Sequence, residues 1–231
     1  MLRVTRMLLI VFFLIMQLHC TNKPNKEDTV VNTSIKDDPS STSGAENQDK
    51  PIVLFFGDSL TAGYGLQEED AFPTLVQNRI DSLGMGYQVV NGGLSGDTSS
   101  NGKSRISWVL RNPVDVFVLA LGANDMLRGL DLNSTEENLR GILEAVQAKN
   151  KDTKIIIAGM IAPPNMGERY VDGFKGMYKR IADEYSAGYI PFLLEGVAGD
   201  ASLNLGDGKH PNAIGQKIVM ENVWEVLESY L

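Results

Sequence analysis

Five consecutive apolar residues, Ile52-Val53-Leu54-Phe55-Phe56, stop abruptly at Gly57-Asp58-Ser59-Leu60. A short unbroken run rich in β-branched and aromatic side chains has no polar face to leave in water. It predicts a strand of a parallel sheet, covered on both sides. Two further runs of this kind follow, residues 114–121 (VDVFVLAL) and 154–160 (KIIIAGM), with shorter strand signals at 87–90 and 189–192. Helical patterns alternate with them. Residues 71–83 place Phe72, Leu75, Val76, Ile80 and Leu83 at helical spacing before Gly84, and residues 98–110 turn Ile106, Val109 and Leu110 toward the sheet. Residues 134–148 open on Ser134 with Glu137 three places later, a capping-box pattern. Residues 171–185 form another helix. Residues 213–231 close the chain with an apolar stripe of Ile214, Ile218, Val223, Val226, Leu227 and Tyr230. Strands alternating with helices imply right-handed crossovers and helices on both faces of the sheet. The expected fold is α/β: five parallel strands in a three-layer α/β/α sandwich, with no internal repeat and no second domain.

The first fifty residues differ in kind. Arg3 and Arg6 precede an apolar run from Met7 to Met16, which is too short for a comfortable membrane span and reads as an export signal over residues 1–19. Cys20, the chain's only cysteine, follows directly and has no intramolecular disulfide partner. It resembles the lipid-modified first residue of a bacterial lipoprotein, although Gln17 and His19 stand where that pattern usually has Leu and a small residue. After it, the stretch to residue 50 is polar and nearly free of large apolar groups, a composition that predicts a disordered tether with a mean reach of about 30 Å. The expected arrangement is a lipid-anchored tether, residues 20–50, carrying a domain over 51–231 off the membrane of a bacterial cell envelope, facing the periplasm. A formal net charge of −8 and the lack of a Lys/Arg cluster argue against nucleic acid as a partner.

In open α/β sheets chemistry collects at the carboxyl ends of the strands. Ser59 lies just past the first strand, where Gly57 lets the chain turn sharply. The hydroxyl reads two ways, as a nucleophile at the sheet's mouth or as the cap of the next helix. Three other segments carry polar groups that connectors do not need. Gly96, in Ser95-Gly96-Asp97-Thr98, offers a bare backbone N–H, and Asn124, in Gly122-Ala123-Asn124-Asp125, offers a side-chain amide. Asp207-Gly208-Lys209-His210-Pro211 precedes the last helix and holds the only histidine beyond residue 19. The three-residue spacing, bent at Gly208, lets the Asp207 carboxylate accept from Nδ1–H while Nε2 faces outward, the base and orienter of a hydrolytic triad. The less favoured reading has Asp207 satisfying backbone N–H groups of its own loop instead.

Together, GDSL at 57–60, SGDT at 95–98, GAND at 122–125 and DGKHP at 207–211 resemble the successive blocks of the SGNH (GDSL) hydrolases. The likeness is greatest to their bacterial thioesterase/lysophospholipase-type arylesterases. It runs from about residue 52 to the C-terminus and extends to RGL at 128–130 and STEENLRGIL at 134–143. Ala123 departs from it, standing where that subgroup often has a second glycine. The resemblance implies a flavodoxin-like sheet and a Ser59–His210–Asp207 triad. It also implies an oxyanion hole made by the Ser59 N–H, the Gly96 N–H and the Asn124 amide. The implied reaction is hydrolysis of small-molecule or lipid acyl esters or thioesters through an acyl-enzyme on Ser59, needing neither metal nor organic cofactor.

Other motifs fail on spacing. Gly96 to Lys103 approaches a phosphate-binding loop but has five residues between its glycines where four are needed. There is no G-x-S-x-G elbow, and Gly63-Tyr64-Gly65 lacks the third glycine of a dinucleotide fingerprint. Two rivals remain: an acetylesterase acting on glycans or other small esters, and a non-catalytic envelope lipoprotein that keeps the fold. Residues 126–130 and 161–166 follow adjacent strands and read either as walls of an apolar acyl groove or as ordinary loop packing.

Overall fold

The computed structural model describes residues 50–231. The expected export signal, Cys20 and all but the last residue of the tether lie outside the described residues. The strands are β1 (Ile52–Gly57), β2 (Gln88–Asn91), β3 (Val116–Ala120), β4 (Lys154–Ala158) and β5 (Gly188–Ile190), paired in parallel in the order β2-β1-β3-β4-β5. This is the flavodoxin-like order, with its switch point between β1 and β3. The three longest apolar runs form the three central strands. Val53 to Phe56 and Val116 to Leu119 are almost wholly shielded from water, as are Ile156 to Ala158. Two covered faces leave no room for a polar alternation.

The helices are α1 (Ser59–Ala62), α2 (Phe72–Ser82), α3 (Ser99–Val109), α4 (Ala123–Leu127), α5 (Leu132–Lys149), α6 (Glu168–Glu184) and α7 (Ala213–Leu227). α3, α5 and α6 pack side by side, while α2 packs on α7. Because β1 connects leftward to β2 and every later crossover runs rightward, right-handed connections put these two groups on opposite faces. A three-layer sandwich results. The carboxyl ends of β1, β2, β3 and β4 lead into short helices or turns on one side of it.

Several local expectations are corrected. α5 begins at Leu132, and its N-cap is Asp131, whose carboxylate accepts from the Ser134 N–H at 2.8 Å. The Ser134–Glu137 capping box does not form, because a better acceptor lies three residues earlier. A capping box forms at α3 instead, between Thr98 and Asn101. α6 starts at Glu168, after a 3-10 turn at Pro164–Met166 and Gly167, whose φ is 87°. In α7 the buried face runs through Gly215, Val219, Val223 and Leu227, while Ile214 is 61% exposed. Gly215 lets the helix press on the Leu203 carbonyl, which a Cβ there would meet at 2.2 Å. Of the expected stripe, Val223 and Leu227 are buried and Ile218, Val226 and Tyr230 are half-buried against the core, so Ile214 alone departs from it.

Candidate active site

Gly57, Asp58 and Ser59 mark the change from β1 to α1, and each has a different task. Gly57 is needed for space rather than for an unusual dihedral: a Cβ there would lie 2.0 Å from Thr61 Oγ1 and 2.9 Å from the Ala120 carbonyl. Asp58 is the N-cap of α1, its Oδ1 accepting from the Leu60 N–H at 3.0 Å. The capping role that Ser59 could have filled is thus taken by its neighbour. The Ser59 hydroxyl is left to meet His210 Nε2 at 2.9 Å, across 151 positions of sequence.

His210 is held in a tight loop. The Leu205 N–H donates to the His210 carbonyl at 2.7 Å, and Gly208, with φ 67°, makes the bend. Asp207 Oδ1 accepts from the Lys209 and His210 N–H groups at 2.9 and 3.1 Å, while Oδ2 lies 2.5 Å from His210 Nδ1. Asp207 therefore makes both kinds of contact at once, one oxygen for each. The His210 contact, then those two backbone N–H groups, hold the Asp207 carboxyl well below the usual carboxylate range. An ionised carboxylate can only accept, so the imidazole proton sits on Nδ1 and Nε2 is free to accept from the Ser59 hydroxyl. The Tyr64 ring covers the imidazole, centroid to centroid 4.5 Å.

Gly96 adopts φ 86°, a region open to glycine at little cost. Its carbonyl accepts from Arg128 at 2.9 Å, and its N–H has no acceptor among the described residues. Asn124 lies in the first turn of α4. Its N-cap is Gly122 (φ 116°), where a Cβ would come within 2.3 Å of the Tyr178 hydroxyl. The Asn124 amide donates to the Asp97 carbonyl at 3.0 Å and to Asp58 Oδ2 at 3.3 Å. Burial pushes the Asp58 carboxyl up to about 6, against the opposing pull of the Leu60 N–H, the His210 charge and the Asn124 amide. Beside it, buried Asp125 accepts from the Ser99 N–H and hydroxyl at 2.8 and 2.6 Å, fixing the start of α3 to α4.

Ser59, Gly96, Asn124 and His210 all open onto one cavity of about 410 Å³. Its apolar walls include Met126, Leu127, Ile161 and Pro163 from the two suspected loops, and also Phe192, at the end of the expected last strand, and Leu194 beyond it. Leu130 and Met166 face a neighbouring polar depression with Glu136, Arg169 and Arg180. The residues that sequence reading missed are Asp58, Asp125 and Arg105. The first two stand beside Ser59 and Asn124 in the chain, a signal that was available. Arg105 carries no such signal. Among the described residues no cluster of three or more His, Cys, Asp or Glu is arranged to hold a metal ion.

Residues 55–218 match the model of the GDSL-like lipase/acylhydrolase family. The chain belongs to that family. Among its GDSL-like relatives, esterase TesA of Pseudomonas aeruginosa is 36% identical over 180 residues, 78% of this chain and 89% of TesA. Thioesterase 1/protease 1/lysophospholipase L1 of Escherichia coli K12 is 35% identical over 170 residues, 73% of this chain and 79% of the relative. The crystal structure of TesA superposes with a TM-score of 0.74 at 35% identity, covering 78% of this chain and 99% of that one. No helix among the described residues is long and apolar enough to cross a membrane.

Proposed function

We propose that this chain is a serine esterase that hydrolyses acyl esters or thioesters through an acyl-enzyme on Ser59. The observation that carries the reading is the 2.9 Å approach of Ser59 Oγ to His210 Nε2, with Asp207 on the far side of the ring. His210 takes the hydroxyl proton as Oγ adds to the acyl carbonyl, and Asp207 stabilises the imidazolium so formed. The oxyanion gathers the Ser59 N–H, the Gly96 N–H and one N–H of Asn124. Asn124's longer bond, 3.3 Å to Asp58, is the one that gives way. The tetrahedral intermediate collapses as His210 passes its proton to the departing alcohol or thiol. Water then repeats the sequence on the acyl-enzyme, releasing the acid and restoring the Ser59 hydroxyl. The names of the relatives, an esterase and a thioesterase/lysophospholipase, support this reaction class.

The apolar walls of the cavity favour medium or long acyl chains over acetyl. In a nitrophenyl ester series from acetate to palmitate, kcat/KM rises with chain length until the cavity is full. A strict preference for acetate contradicts this and points to a deacetylase of glycans or small esters. The N-terminal signals support export and lipid attachment at Cys20, with the tether holding the domain off a membrane in the cell envelope. Labelled fatty acid enters the wild-type protein and is absent after Cys20→Ser; an unlabelled wild type overturns the anchor.

A further inference from the structure

We infer that Arg105 is a positioning residue that holds the nucleophile and the oxyanion donors in register, an inference that rests on the roles just given to Ser59, Gly96 and Asn124. Arg105 projects from α3, an element that contributes no group to the proposed chemistry. Its Nε donates to Asp97 Oδ2 at 2.6 Å, and one terminal nitrogen donates to the Gly57 carbonyl at 3.1 Å and the Gly92 carbonyl at 3.0 Å. The guanidinium carbon lies 4.0 Å from the centroid of the Phe56 ring. Both members of the ion pair are largely withdrawn from water, with side chains 20% and 9% exposed. Charge-assisted bonds in such surroundings are short and resist reorientation.

The acceptors lie at the end of β1 and in the loop after β2, and both places lead to the site. Gly57 is two residues before Ser59. Asp97 follows Gly96, and its own carbonyl holds the Asn124 amide at 3.0 Å. The Leu94 N–H also donates to the Gly57 carbonyl at 3.0 Å, and the Asp97 N–H donates to Leu94 at 3.1 Å. The turn that carries Gly96 is therefore stitched to the strand end that Arg105 grips. One planar side chain with donors in a fixed fork thus ties the end of β1 to the loop after β2, and through the Asp97 carbonyl to Asn124. A lysine, as a point charge, can keep the contact to Asp97 but cannot span the two carbonyls as well. Displacing reacting groups by about 1 Å can cost about a hundredfold in rate.

The test uses the full chain, assayed well below the unfolding temperature of each variant. Arg105→Lys is expected to lower kcat by about tenfold or more, while KM for nitrophenyl butyrate stays within about twofold, the mark of an interaction made in the transition state. The rate at which an alkyl phosphonate labels Ser59 falls by the same factor. In Arg105→Ala, millimolar methylguanidinium restores part of kcat. Asp97→Asn, which keeps every carbonyl contact but removes the charge, gives a smaller loss of the same kind and serves if the Arg105 variants do not fold. A purely structural arginine predicts a lower melting temperature with wild-type kcat and no rescue, and that result overturns the inference. If Ser59→Ala itself remains active, the nucleophile assignment fails first. If Ser59→Ala is dead while folded Arg105→Lys turns over at the wild-type rate, the positioning role alone is lost.

Discussion

The two oxygens of Asp207 have different partners, and this predicts an uncommon sensitivity to the loss of one charge. Oδ1 serves two backbone N–H groups and Oδ2 serves the imidazole. In Asp207→Asn the amide oxygen stays with the backbone donors, so the NH2 group faces Nδ1. Nδ1 must then accept, the imidazole proton moves to Nε2, and Ser59 loses its base. A fall in kcat of about a thousandfold or more, with little change in melting temperature, is the expected outcome in steady-state assays. Wild-type activity in that variant contradicts the assigned tautomer. Asp58 makes a second prediction through pH. Its carboxyl rises from 3.8 unfolded to about 6 folded, chiefly because burial penalises the charge. The protonated form is favoured by the fold, so this group's contribution is complete below pH 4 and is lost as pH rises through 6. The difference amounts to about 3 kcal/mol. Urea melts of wild type and Asp58→Asn should therefore diverge with pH, the variant gaining on the wild type from pH 4 to pH 7. Parallel pH profiles contradict the shift.

Most of the helices are capped by a neighbour in the chain, but α2 is capped from across the molecule. The N-cap of α2, Ala71, has no side-chain acceptor, and the Phe72 N–H donates instead to buried Gln216 on α7, 144 positions away, at 3.0 Å. Gln216→Leu strands that N–H and should cost about 1–3 kcal/mol, read as a lower urea midpoint; an unchanged midpoint contradicts the role. Long-range contacts of this kind leave no local pattern in the sequence. The central strands were legible because burial on both faces leaves one pattern, an unbroken apolar run. The exposure of Ile214 at the start of α7 was not, since its neighbour Gly215 seats on the Leu203 carbonyl, a contact invisible to periodicity. The four-residue α1 and five-residue α4 escaped for another reason: they are too short to show a period at all. Yet they carry Ser59 and Asn124. Those residues were found by chemical type and by their place after strand ends.

At the scale of the whole molecule, the sheet is a device for convergence. Ser59 comes from the end of β1, Gly96 from the loop after β2, Asn124 from the end of β3, and His210 from the loop before α7. All four share one cavity because parallel strands put their carboxyl ends on the same side. Neighbouring order mattered less than the rule that every crossover returns the chain to the same edge. What the sequence could not foretell was the bracing behind that edge, Arg105 above all, since its acceptors are main-chain carbonyls that any residue supplies. The central claim is that Ser59 is the nucleophile and His210 its base. Incubation with an alkyl nitrophenyl phosphonate, followed by mass spectrometry of the digested full chain, tests it directly. The account predicts one adduct, on Ser59, absent after Ser59→Ala and formed at least about a hundredfold more slowly after His210→Ala. An adduct on another residue, or labelling of Ser59 at an undiminished rate without His210, contradicts it.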